Sequence, residues 1–149
     1  MERLVNKLKE KGLTISSCES LTGGMFASDI VSISGASSVF KGAFVTYMDE
    51  CKEVLLDGKD ILNAHGAISE EMAYKMACVV KSKLNTNIAV SFTGNAGPLA
   101  SENKEVGLVY SCIIIDELIL NYKDIYSGDR TEIRKKCIVD AIDRILENL

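Results

Sequence analysis

The chain has 149 residues, with 17 Lys and Arg against 21 Asp and Glu and a formal net charge of −4. That length suits one domain, residues 1–149, and a 47% hydrophobic content supplies a core of its own. The mixed, slightly acidic charge argues against a nucleic-acid groove, and no apolar run reaches the roughly 18 residues that a membrane span needs.

Residues 2–11 set Leu4, Val5 and Leu8 on one side, which predicts a short amphipathic helix ended by Gly12. The charged start is unlike a signal peptide, so a cytoplasmic protein is expected. "LTISSC" predicts a strand, "ESLTGG" a turn, and "MFASDIVSI" a helix up to Gly35. "FKGAFVTYM" alternates and is rich in aromatic and β-branched residues, a strand pattern. Asp49 is placed to cap a helix over 50–56. "KDILNAHG" predicts a helical turn and loop. Ser69 with Glu70 and Glu71 opens a helix whose apolar stripe is Met72, Ala73, Met76, Ala77 and Val80.

"NIAVSF" reads as a buried strand, followed by a long polar loop of about a dozen residues, "TGNAGPLASENKE", of a length that is usually functional or disordered. "VGLVYSCIII" and "LILNYKDIY" predict a hairpin turning at Asp116–Glu117. After Gly128, Ile133, Cys137, Ile138, Ala141, Ile142, Ile145 and Leu149 recur at helical spacing. The pattern argues for an α/β fold, a three-layer α/β/α sandwich with a mixed, about five-stranded sheet.

Several stretches can carry chemistry. The turn Thr22-Gly23-Gly24 lies between a strand and a helix, where backbone N–H groups suit an anion, although Gly-Gly is also plain turn geometry. Thr93-Gly94-Asn95-Ala96-Gly97-Pro98 follows a buried strand, at the sheet edge where open α/β folds bind ligands, although two glycines and a proline are also plain loop punctuation. Ser127 or Asp129 caps the last helix, and Arg130 is placed either to reach an anion or only to pair with Asp129. Arg130, Arg134, Lys135 and Lys136 read as a solvated helix face.

His65 is the single histidine, with no acid or cysteine at ligand spacing, which disfavours a Ser-His-Asp triad or a zinc site. The five scattered cysteines contain no Cys-x-x-Cys and read as reduced, buried thiols. No metal or cofactor is expected. Ser37 and Lys52 flank one strand, with Tyr47 near its end. A serine needs a partner to take its proton, and a lysine can do so where burial or positive neighbours favour its neutral form. Spacing alone leaves this pair and an ordinary turn, strand and helix start both open.

The motifs Glu19-Ser20-Leu21-Thr22-Gly23-Gly24, Gly35-Ala36-Ser37-Ser38-Val39-Phe40, Val45-Thr46-Tyr47, Lys52, Gly66-Ala67-Ile68-Ser69, Thr93-Gly94-Asn95-Ala96-Gly97-Pro98, Val106-Gly107 and Gly128-Asp129-Arg130 occur in one order. Together they resemble the CinA C-terminal domain family, which includes stand-alone nicotinamide-nucleotide amidases. The resemblance covers nearly the whole chain, leaving no room in it for the pyrophosphatase-type domain of longer CinA proteins.

It implies a metal-free, homodimeric hydrolase that converts nicotinamide mononucleotide and water to nicotinic acid mononucleotide and ammonia. It implies a serine–lysine pair with a tyrosine, which alignment on Phe40 places at Ser37, Lys52 and Tyr47, with Ser38 as the neighbouring serine. Backbone N–H groups of Gly35–Ser38 or Thr93–Ala96 are then the oxyanion donors, and Thr22–Gly24 with Arg130 the phosphate site.

The sequence departs from the family pattern at Leu21, usually Cys, and at Asn95, usually Ile. It also departs at Leu99–Glu102, usually an acidic segment with Gly-Gly. The last two fall in the loop that the resemblance assigns to the ligand, and bear on substrate selectivity more than on the nucleophile. A non-catalytic nucleotide-binding or interaction domain of the same fold is the alternative reading, and an amidase for another substrate is a third.

Overall fold

The computed structural model describes residues 1–149. The elements are α1 (Glu2–Lys11), β1 (Ile15–Glu19), α2 (Met25–Val31), a 3-10 turn (Ala36–Ser38), β2 (Phe40–Val45), α3 (Asp49–Leu56), α4 (Lys59–His65), α5 (Glu70–Leu84), β3 (Ile88–Gly94), β4 (Leu108–Ile115), β5 (Leu118–Ile125) and α6 (Arg130–Glu147). The five strands form one sheet in the order β2-β1-β3-β4-β5. β2, β1 and β3 run parallel, while β4 and β5 are antiparallel. This is the expected α/β sandwich with a mixed sheet.

Side-chain alternation divides the core into two. Ile15 on β1 and Ile88, Val90 and Phe92 on β3 face the layer of α1, α2 and α6, where they meet Leu4, Leu8, Phe26, Ile138, Ala141 and Ile145. Cys18 on β1 and Ala89 on β3 face α5, where they meet Met72, Met76, Ala77 and Val80. The methionine stripe read from the sequence is thus core packing. Phe26 and Phe92 pack with ring centroids 5.9 Å apart at 41°. Truncating either fully buried ring to alanine is expected to cost about 3–5 kcal/mol.

Helix ends follow the residue chemistry. Ser69 caps α5 by accepting from the Met72 N–H, and Asp129 and Glu132 form a reciprocal capping box at α6. Asp49 does not cap α3. The N-cap is Met48, and Asp49 occupies the first helical turn, where the dipole favours its charge.

The parallel register brings functional stretches to one edge. Glu19 pairs with Val45 on one side and Phe92 on the other. Beyond these pairs the Ser20 N–H donates to the Phe92 carbonyl at 2.9 Å, and the Thr46 N–H to that of Glu19 at 2.9 Å. Ser20, Thr46–Tyr47 and Thr93 therefore leave the sheet side by side at its carboxyl edge. Ser37 and Ser38 precede β2 and so lie at the opposite, amino edge. A strand of this length separates the two edges by roughly 17–20 Å.

Candidate active site

A cleft of about 350 Å³ opens at the carboxyl edge. Ser20, Tyr47, Asp49, Lys52 and Arg130 line it, along with the Thr93–Gly97 turn. The structure brings together Lys52, Tyr47, Thr93, Gly94, Asn95, Ala96 and Arg130 from the residues expected of the site. Ser37 and Ser38 are not among them. Ser37 lines a separate hollow with Val31, Ile33 and Phe40, and Ser38 Oγ donates back to the Gly35 carbonyl at 2.9 Å. The expected Ser37–Lys52 pair is corrected by strand direction. Loops before and after one strand lie at opposite edges, and six residues of β2 stand between them.

Ser20 is the serine that shares the cleft with Lys52 and Tyr47 and has its hydroxyl free of any hydrogen bond to the chain. Ser101 also lines the cleft, but its Oγ donates to Asn95 Oδ1 at 2.9 Å. Ser20 was legible as the first residue past β1, inside a motif singled out for its glycines rather than its hydroxyl.

Lys52 projects from α3 and its side chain is only 1% exposed. Its Nζ donates to the Tyr47 carbonyl at 3.3 Å and sits 3.5 Å from Asp49 Oδ1. Both contacts are long, so the amine is held in a dry place without a tight partner. The Tyr47 hydroxyl accepts from Arg130 at 2.9 Å, and Arg130 also donates to the Gly97 carbonyl at 2.6 Å. Arg130 thereby ties α6 to both the β2 exit and the β3 loop.

The amide nest after β1 is already filled. The Glu19 carboxylate is fully buried and accepts from the N–H groups of Gly24, Phe26 and Ala27 at 3.0–3.1 Å. The Gly23 N–H goes to the Ser20 carbonyl at 3.1 Å. The expected phosphate site at Thr22, Gly23 and Gly24 is therefore corrected. Of its three amides, that of Gly24 is taken by Glu19 and that of Gly23 by the Ser20 carbonyl, and Ser17 Oγ also donates to Glu19 at 3.1 Å. Thr22 is buried and its hydroxyl has no partner.

Arg134 corrects another expectation. It is not a solvated residue of α6, because its Nε donates to the Leu21 carbonyl at 2.9 Å and its guanidinium nitrogen to that of Thr22 at 2.6 Å. In trans peptides the N–H points opposite to the C=O, so Arg134 turns the Thr22 N–H away from α6. The N–H groups of Leu21, Thr22 and Ala96 have no acceptor in the chain although all three residues are buried. Leu21 and Ala96 line the cleft, so their N–H groups are available to a bound group there.

The β3 loop is built on Asn95. Its side-chain oxygen accepts from the Ser101 N–H and Oγ, and its nitrogen donates to the Ser101 and Lys104 carbonyls at 3.1 and 2.9 Å. Asn95 shapes the cleft wall with those atoms committed. Gly94 is steric, because a Cβ there would collide with the Leu108 carbonyl. Thr93 Oγ1 donates to the Ala67 carbonyl at 2.6 Å. No three His, Cys, Asp or Glu side chains are grouped to hold a metal, and no helix is long and apolar enough to cross a membrane.

The CinA C-terminal domain family matches residues 1–149. A CinA-like protein of Petrotoga mobilis is 44% identical over 146 residues, covering 97% of this chain and 36% of that protein. A protein of Oceanobacillus iheyensis named as competence-damage inducible is 38% identical over 148 residues, with 98% and 36% coverage. The chain thus spans about a third of the length of these relatives. Among solved structures, the competence/damage inducible protein CihA of Agrobacterium tumefaciens superposes with a TM-score of 0.92 at 34% identity, over 97% of this chain and 90% of that one. A CinA superfamily protein of Klebsiella pneumoniae shares the fold with a TM-score of 0.94 at 24% identity, over 98% and 92%. Sequence profile, relatives and fold agree, and the chain belongs to the CinA C-terminal domain family.

Proposed function

We propose that the chain is a metal-independent serine amidase acting on the carboxamide of nicotinamide mononucleotide, with Ser20 as nucleophile and Lys52 as base. The observation that carries this reading is the shared cleft: an unbonded Ser20 hydroxyl, a buried Lys52 and the Tyr47–Arg130 pair at one sheet edge. Contacts between nucleophile and base are often long in the free enzyme and tighten with substrate.

In this mechanism Ser20 Oγ forms a bond to the carboxamide carbon as its proton passes to Lys52 Nζ. The N–H groups of Leu21, Thr22 and Ala96 are the oxyanion donors, in place of those at Gly35–Ser38. Collapse breaks the C–N bond, Lys52 returns the proton to the departing nitrogen, and ammonia leaves. Water then attacks the Ser20 ester while Lys52 takes its proton. The acid leaves, and the proton goes back to Ser20 Oγ. Tyr47 and Arg130 orient the substrate at the mouth.

Ammonia release from nicotinamide mononucleotide tests the reading. Turnover unaffected by chelator supports it. Binding without turnover favours the non-catalytic nucleotide-binding alternative, and neither binding nor turnover points to a different amide.

A further inference from the structure

A second group of donors on the cleft wall already holds an anion. The N–H groups of Ala67 and Ile68 donate to the two oxygens of the Glu102 carboxylate at 2.7 and 3.2 Å, and Lys104 Nζ donates to Glu102 Oε2 at 3.0 Å. Ala67, Ile68 and Glu102 all line the cleft that contains Ser20 and Lys52.

The donors are positioned by the fold rather than by Glu102. Thr93 Oγ1 fixes the Ala67 carbonyl, and Lys104 is also anchored to the carbonyls of Ile68 and His65 at 2.5 and 3.3 Å. Gly66 has φ +81°, and a Cβ there would stand 2.5 Å from Glu102 Oε2. The left-handed backbone there favours glycine, which also lets the carboxylate come close. At the start of α5 the Met72 N–H is already taken by Ser69 Oγ. The anion itself comes from the 99–102 segment, where the sequence departs from the family pattern.

We propose that the Ala67–Ile68 amide pair with Lys104 is a binding site for a phosphate monoester, and that Glu102 occupies it until the substrate phosphate displaces the carboxylate. Two preset N–H groups and an ammonium suit a tetrahedral dianion better than a carboxylate. The nest after β1 differs in that its carboxylate, Glu19, is fully buried, whereas the Glu102 side chain is 27% exposed and faces the cleft. The proposal rests on the nucleotide-amidase reading for its substrate, but the anion site is testable without turnover. While Glu102 holds the site, apparent phosphate affinity is reduced by the fraction of molecules with the site open.

Calorimetric titration of inorganic phosphate into the whole chain is the test. Glu102→Gln and Glu102→Ala should each bind phosphate about tenfold more tightly than wild type, and Lys104→Ala added to either should erase the gain. Nicotinamide mononucleotide should gain affinity in the same variants, and nicotinamide riboside, which lacks the phosphate, should not. Melting temperatures establish that both variants fold, with Asn95 still holding the loop.

Phosphate affinity unchanged in both folded variants would overturn the proposal, as would equal changes for the mononucleotide and the riboside. Either result would make Glu102 a loop latch only. Failure of the wild type to release ammonia would count against the amidase reading alone and leave the phosphate result standing.

Discussion

Arg134 on the last helix donates to the carbonyl of Leu21, the residue after Ser20, at 2.9 Å across 113 positions of sequence. Together with its bond to the Thr22 carbonyl, this makes Arg134 the residue that orients the peptide planes behind the proposed nucleophile. Its place is to position; it does not line the cleft. Arg134→Met should lower kcat about 10–100-fold while changing KM little, because the lost donor alignment acts on the transition state. Arg134→Lys should recover part of that loss. An equal fall in stability without any change in kcat, measured by steady-state kinetics beside thermal melts, would contradict the positioning role.

Lys52 separates stability from activity. A side chain 1% exposed with partners at 3.3 and 3.5 Å contributes little net stabilisation, since taking an amine out of water costs more than two long contacts return. Lys52→Met preserves length and removes the polar end. It should be as stable as wild type, or more so by about 1 kcal/mol, and should lose at least about 10²–10⁴-fold in rate. A rate within a few-fold of wild type would remove Lys52 from the mechanism.

The Glu102 carboxyl titrates below its ordinary value of 4.5. Partial burial pushes it up, but hydrogen bonds from Lys104 and from the Ala67 and Ile68 amides, with the Lys104 charge, outweigh that and hold it down. A carboxyl depressed by folding adds stability that is fully present above its unfolded pKa and is lost as pH falls through its folded one. The Ala67 and Ile68 amides should therefore stay protected from hydrogen exchange at neutral pH and lose protection as pH drops below 4.5. In Glu102→Gln the loss should be absent, and an identical pH profile in that variant would assign the transition to another group.

The cysteines divide by burial. Desolvation pushes the thiols of Cys18, Cys112 and Cys137 up to about 12, so thiolate is scarce at each near neutral pH. Cys51 and Cys78 are less buried. Iodoacetamide at pH 8, read by peptide mass spectrometry, should label Cys51 and Cys78 in the folded protein and the other three only after denaturation. Fast labelling of Cys18 or Cys112 would mean that the α5 face of the core opens readily.

The order of elements was legible because alternation and helical spacing are local. Ser69 and Asp129 were readable as caps for the same reason, since a cap is defined within three residues. The pairing of Ser20 with Lys52 in one cleft was not, because Ser37 is the serine close to Lys52 in sequence while strand direction sends those two to opposite edges. Ser20 and Lys52 come to one cleft only through the β1–β2 register, which no local pattern encodes.

Glu19 was likewise hidden. Its place at the end of a buried strand gives no sign that it will turn into the amides of α2. The departures at Asn95 and Leu99–Glu102 looked independent in the sequence, yet Asn95 is bonded to Ser101 and Lys104 and so belongs with the altered loop.

The most direct test of the central claim is ammonia release from nicotinamide mononucleotide by wild type, Ser20→Ala and Ser37→Ala side by side. Turnover is expected in wild type, with at least about a 10³-fold loss in Ser20→Ala and a near-normal rate in Ser37→Ala. A silent Ser37→Ala with an active Ser20→Ala would contradict that claim and return the nucleophile to the amino edge of the sheet.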